Sequence, residues 1–205
     1  MQRLCFNNES FKSFKELMEQ SQENCLKMIS TYKIKKQYLF KNERLLNSHK
    51  IMNAIEKVCS FENIELEDEE ELDDYIEFIG SNNVLLCSND GLISRYDRKL
   101  LNKQHFLIIP RKDEADINFT YHYLKNYQEK IFSFYSSNQE LEIFQDKLGT
   151  LEFLPISIER QREIAENCVK YDEQIQYYLK QFEKNRQELE NSYIDLQKNM
   201  KNYKN

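Results

Sequence analysis

Glycine and proline are nearly missing from this chain, with 3 Gly and 2 Pro among 205 residues. Tight turns draw on both types, which argues against an all-β sandwich or barrel, with its turn about every ten residues. A glycine-rich phosphate loop is excluded, because no strand-turn-helix nucleotide site can be built around Gly80, Gly91 or Gly149. Pro110 and Pro155 stand alone, so the Asn/Asp-Pro-Pro-aromatic motif of amino-methyltransferases is absent. Close cysteine pairs are also lacking: Cys5, Cys25, Cys59, Cys87 and Cys168 are scattered, without zinc or redox spacing, and read as reduced packing residues. No apolar run is long enough to cross a bilayer, and the opening residues carry no apolar signal region. The expectation is an intracellular, cytoplasmic protein with no membrane partner, no metal, no cofactor and no catalytic residues of its own.

What is present is aromatic and charged. Hydrophobic residues make up 40%, with 13 Tyr and 13 Phe, beside 31% charged residues, a composition that folds but keeps much solvated surface. The net charge of −6 argues against a nucleic-acid partner until its distribution is considered. Eight acids lie between Glu65 and Asp74, and without them the remainder carries +2. So dense a run of like charge cannot fold against itself, and it reads as a surface insertion or a protein-docking strip. From Gly91 to Lys112, Arg95, Arg98, Lys99, Lys103, Arg111 and Lys112 face only Asp97. Such a stretch is either a solvated loop face or a phosphate-binding surface acting through counterion release.

Periodicity divides the chain into three parts. From Ser10 to about Asn47 there is no Gly or Pro, and Phe11, Phe14, Met18, Cys25, Met28 and Tyr32 form a helical stripe. The pattern is less regular through Tyr38 to Phe40, where a bend or second helix is expected. In the middle, Tyr75–Ile79, Val84–Cys87 and Phe106–Ile109 read as strands bounded by Gly80-Ser81-Asn82-Asn83, Asn89-Asp90-Gly91 and Pro110. A helix from about Asn118 to Phe134 follows, with Phe119, Tyr123 and Tyr127 at i+4 spacing, then a polar turn at Ser136-Ser137-Asn138. The tail carries the clearest pattern: Ile164, Cys168, Tyr171, Ile175, Tyr178, Phe182, Asn185, Leu189, Ser192, Leu196, Met200 and Tyr203 follow spacings of four and three, alternating as far as Leu196. A sustained 3.5-residue repeat favours supercoiled helices, and at about 1.5 Å per residue it spans roughly 60 Å. Such a helix needs a partner. The candidates are a second copy, the N-terminal stripe folded back antiparallel, or another subunit.

One enzyme-like spacing stands apart. Arg44 and His49 match the Arg-x4-His spacing of small helical ribonucleases, set against the plainer reading of a solvated helix end. His105 and His122 have no metal-spaced neighbour and read as surface or core histidines.

A resemblance gathers the middle and the tail. Ser137-Asn138-Gln139, then Leu148-Gly149-Thr150-Leu151-Glu152-Phe153-Leu154-Pro155, then Glu159-Arg160-Gln161 running to Ile164, resembles the end of a recognition domain in type I restriction-modification specificity subunits. In that family a Gly-Ser/Thr-x-Gln turn is followed by a strand, Leu-Pro and Leu-x-Glu-Gln-x-x-Ile, leading into a long helix; Glu159-Arg160-Gln161 replaces the usual Glu-Glu-Gln. Upstream, Asn83 to Gly91 is similar to the family's Gly-Asp-Ile-Leu-Ile-x-x-x-Gly, Phe106 to Arg111 to its apolar strand ending in Pro, and Asn118 to Leu124 to its Pro-x-Tyr-Leu helix. The resemblance spans about Met52 to Met200. It departs from the family in having one recognition domain where the full subunit has two, in its glycine poverty, and in the acidic run.

The resemblance implies a subunit that reads sequence in double-stranded DNA while separate methyltransferase subunits, docked on the helices, do the chemistry. The expected fold is α+β, with residues 1–47 an N-terminal helical segment, 48–158 a target-recognition-like domain, and 159–205 a C-terminal coiled-coil helix. Base reading falls to polar and basic loop side chains, for which Ser88, Asn89, Arg95, Tyr96, Arg98, Lys99 and Lys103 are candidates, with Asn138 and Gln139 on the second turn. The candidate partner-helix positions are Ile164, Cys168, Ile175, Tyr178, Phe182, Asn185, Leu189 and Leu196. The implied partners are duplex DNA, a second copy as homodimer, or methyltransferase-like and other subunits. The alternative from another class is a structural or interaction subunit that keeps the fold and has lost DNA reading.

Overall fold

In the computed structural model the apolar runs Val84–Cys87 and Phe106–Ile109 form central strands of one sheet, because both faces of that sheet are covered. Leu85, Cys87, Phe106 and Ile108 point into the main core, while Leu86 and Leu107 join Val84 and Ile76 in a smaller core on the opposite face. Period-two alternation therefore vanishes from the sequence of these strands, since each side chain finds apolar neighbours whichever way it points. The structure describes residues 8–64, 74, 76–78, 80–88, 90–97, 105–134 and 141–202.

The elements in chain order are α1 (Asn8–Leu46), β1 (Asn53–Ala54), β2 (Cys59–Asn63), β3 (Leu85–Ser88), β4 (Ile93–Arg95), β5 (His105–Pro110), α2 (Ile117–Asn126), α3 (Gln128–Phe132), α4 (Leu141–Gly149), β6 (Glu152–Phe153) and α5 (Ile158–Asn202). The strands make a four-stranded antiparallel sheet in the order β2-β5-β3-β4 and a two-stranded ribbon of β1 with β6. The chain divides into two compact units, residues 37–168 and residues 1–36 with 169–205. The fold is α+β with a long helix at each end.

In the globular unit α2 lays Phe119, Tyr123 and Leu124 into the core, where the rings of Phe40, Phe119, Tyr123 and Phe153 meet at centroid distances of 5.1–5.8 Å. Burying each such ring contributes on the order of 2–3 kcal/mol. The unit is wider than the expected 48–158, because Phe40 near the end of α1 and Ile164, Ala165 and Cys168 of α5 are part of its core. The other unit is an antiparallel helix pair. As α1 runs forward, its contacts on α5 run backward: Phe11 with Tyr193 (6.0 Å between ring centroids), Ser21 with Asn185, and Tyr32 with Tyr178 and Tyr171 (6.2 and 5.9 Å). Lys36 closes the series on Asp172 at 2.6 Å.

Several expectations are corrected. Residues 76–78 of the expected strand Tyr75–Ile79 are helical, and Ile76 is buried while Phe78 is 88% exposed, a one-sided pattern that a short aromatic run does not distinguish from a strand. α1 continues through Tyr38–Phe40 as one helix. The helix expected over 118–134 is broken at Tyr127. The strands β1 and β2, too short or too polar to stand out, were not expected, nor was the helix α4. The Glu65–Asp73 part of the acidic run lies outside the described residues.

Candidate nucleic-acid interface

The β3–β4 hairpin turns at Ser88–Leu92. Gly91 adopts φ +87°, and a Cβ there would lie 3.2 Å from Ile131 and 3.3 Å from Phe144, so both backbone conformation and close packing require glycine. The Ser88 hydroxyl hydrogen bonds the Asp90 carboxylate and accepts from Leu92 N at 3.0 Å, so Ser88 serves the turn. That hydroxyl, and the Leu92 amide after it, hold the Asp90 carboxyl below its usual range, leaving an acid at the turn.

Arg95 stands at the end of β4 and is exposed, but it is not loose. Its guanidinium lies 4.9 Å from the centroid of the Tyr121 ring, and its Nη1 donates to Asn118 Oδ1 at 2.7 Å. Asn118 and Tyr121 are three residues apart on α2, so one helix supplies both anchors. The start of that helix is itself fixed, since the Asp116 side chain accepts from the amides of Asn118 (2.9 Å) and Phe119 (3.0 Å). Tyr96, half-buried, packs on the smaller core of Ile76, Val84, Leu86 and Leu107.

Two adjoining grooves open here. One, of about 410 Å³, is lined by Asn82, Asn83, Val84, Leu85, Arg95, Tyr96, Ile117 and Asn118. The other, of about 460 Å³, shares Asn83 and Ile117 and is lined further by Lys112, Asp113, Asp116 and Arg162. Arg162 Nε lies 3.6 Å from Asp116 Oδ2. Arg111, counted with the basic stretch by sequence, instead donates to the backbone carbonyls of Lys57 (2.8 Å) and Glu56 (3.2 Å).

Of the expected DNA-facing residues, Arg95 and Tyr96 meet at the first groove, Ser88 is turned to the hairpin, and Asn89, Arg98, Lys99, Lys103, Asn138 and Gln139 lie outside the described residues. Asn82, Asn83 and Asn118 line the same groove, and Tyr121 lies under the Arg95 guanidinium, though none of the four is among the expected residues. The i, i+3 spacing of Asn118 and Tyr121 on α2 was the available signal for two of them. Of the expected partner-helix residues, Ile164 and Cys168 are buried in the globular core, so the seam begins after them. Ile175 and Leu196 are buried, Tyr178, Phe182, Asn185 and Leu189 are half-buried, and Asn185 Nδ2 donates to Ser21 Oγ at 2.8 Å.

The ribonuclease-like spacing is not on one helix, because α1 ends at Leu46 and His49 lies in the turn beyond. Arg44 is engaged with Glu152 and with Tyr127 Oη (3.1 Å). The residues that carried the family resemblance build scaffold. Gln161, 1% exposed, donates to the carbonyls of Glu114 (3.0 Å) and Ile156 (3.1 Å) and accepts from Asp116 N (2.8 Å). Arg160 binds Glu43 and Glu163, and these hydrogen bonds raise its pKa further above its ordinary value. Among the described residues no three His, Cys, Asp or Glu side chains converge as a metal site, and no helix is long and apolar enough to cross a membrane.

No protein-family model matches the chain, and no curated protein matches it. Among solved structures it is similar to the type I restriction-modification system S subunit from M. genitalium, at 14% identity and a TM-score of 0.51. The match covers 92% of this chain and 58% of that one, so both units are included and the chain spans less than two thirds of that subunit's length. The likeness is one of fold.

Proposed function

We propose that this chain is a sequence-directed, double-stranded DNA-binding subunit without catalytic activity of its own, acting with protein partners or as a dimer. The observation that carries this reading is the S-subunit-like fold, in which a single α+β unit is joined to two long helices. The local geometry supports it, since an exposed arginine is held over an amide-lined groove on a rigid sheet-and-helix platform. Positioning on phosphates then falls to Arg98, Lys99 and Lys103, and reading to side chains at the groove. Methyltransferase-like or other subunits would dock on the outward faces of the helices.

Fluorescence anisotropy of the full chain with a duplex of randomised sequence tests the reading. Binding should weaken steeply with salt, and replacing Arg98, Lys99 and Lys103 by Ala should flatten the slope by about one unit for each phosphate that is no longer neutralised. A second reading, a structural subunit that keeps the fold and binds no DNA, is favoured by the net charge of −6 and by the commitment of Arg44, Arg111 and Arg160 to internal contacts. Absence of duplex binding at low salt decides for that second reading.

A further inference from the structure

We propose that the groove beside β4 and the start of α2 is a base-reading site, in which Arg95 reads the major-groove edge of a guanine and Asn118 and Tyr121 act as its positioning residues. This rests on the duplex-binding reading above. Three observations carry it. First, Arg95 is held before any ligand arrives: its guanidinium lies over the Tyr121 ring, 4.9 Å from the centroid, and its Nη1 donates to Asn118 Oδ1 at 2.7 Å. A planar fork of fixed orientation matters wherever two acceptors must be met at once, a demand that a lysine, a point charge on a flexible stem, does not meet. Guanine O6 and N7 are such a pair.

Second, the bond to Asn118 uses one Nη1 hydrogen, so the Nε–Nη2 edge keeps its parallel donors for a bidentate contact. Third, the lining is poor in charge for a surface that tracks a phosphate backbone. Arg95 is the single cation among the described residues lining this groove, beside three asparagines, Asn82, Asn83 and Asn118. Amides neutralise no phosphate and release no counterions. They do present a donor with an acceptor, the combination that reads base edges.

The test separates this inference from the reading beneath it. The full chain, and its Arg95→Lys, Arg95→Ala and Asn118→Ala variants, would each be used to enrich binding sites from a randomised duplex library at low salt. Affinity and salt slope are then measured on the enriched duplex, and the thermal transition of each variant is checked against the parent. The expected result is an enriched site with at least one invariant guanine. Arg95→Lys, which keeps the charge, should lose discrimination at that one base pair by about tenfold to a hundredfold while leaving the salt slope unchanged. Asn118→Ala should lose part of the same discrimination at the same position. The inference is overturned if Arg95→Lys keeps the parent's preference while Arg95→Ala lowers the salt slope by about one, the behaviour of a phosphate contact. It is overturned, with duplex binding intact, if the parent binds but enriches no sequence. If the parent binds no duplex at low salt, both fall.

Discussion

At the scale of single residues, the buried polar groups carry clear consequences. Gln161 sits in the core with three hydrogen bonds to backbone groups of Glu114, Asp116 and Ile156, tying the start of α5 to the loop ahead of α2. Gln161→Leu strands one amide and two carbonyls, and an unsatisfied buried group costs about 1–3 kcal/mol. The variant should unfold at a clearly lower urea midpoint with an unchanged slope; an unaltered midpoint would show that water reaches these groups. Cys59 is buried, and burial pushes its thiol from 9.0 up to about 12. A raised folded-state value means the native protein holds the proton more tightly, so this contribution is complete below about pH 9 and is lost as pH rises toward 12. Heating scans between about pH 8 and 10.5 should show the transition falling with pH, and falling less steeply in Cys59→Ala. Equal slopes would remove Cys59 from the account.

The helix pair is the feature to test at the scale of elements. Ile175 is 8% exposed between α1 and α5, whereas Leu179, one turn along, is 42% exposed on the outer side. Ile175→Asp places a charge in the seam with no partner and should separate the pair, with a loss of helical ellipticity, while Leu179→Asp should leave the spectrum as it is. Loss of ellipticity in both would mean that the outer side is covered as well. Asn185 meets Ser21 across the seam, so its polar group is satisfied within the chain. A polar seam residue fixes register because it finds its partner in only one alignment. Leu154, Gln161 and Ile164 signalled a family by sequence, yet in the structure they hold β6, the loop before α2 and α5 to the core. In this chain the motif residues are scaffold.

For the whole molecule, the seam of α5 packs along the chain's own α1, with contacts at Tyr171, Tyr178, Asn185 and Tyr193. Removing residues 1–36 uncovers Ile175, Tyr178, Phe182 and Leu189 together, and an apolar stripe of that kind associates. Sedimentation of residues 37–205 should therefore show a higher-order species at concentrations where the full chain's mass is lower; an unchanged association state would mean that α1 contributes little to covering the seam. The sequence by itself determined the long helices, the two central strands and the aromatic face of α2, because the spacing of apolar residues is a local property that a helix or a covered strand reads directly. It did not distinguish a helical turn from a strand at Tyr75–Ile79, where a short apolar run fits both. It named Arg95 as basic and exposed, but Asn118 and Tyr121 lie 23 and 26 residues further along the chain, and their approach depends on how α2 packs beside β4. The partner of the α5 seam was likewise left open among a second copy, another subunit and the chain's own N-terminus. Only the tertiary structure decided these points, because each is a contact between distant residues set by strand order and helix packing, for which no stretch of sequence carries a local signature.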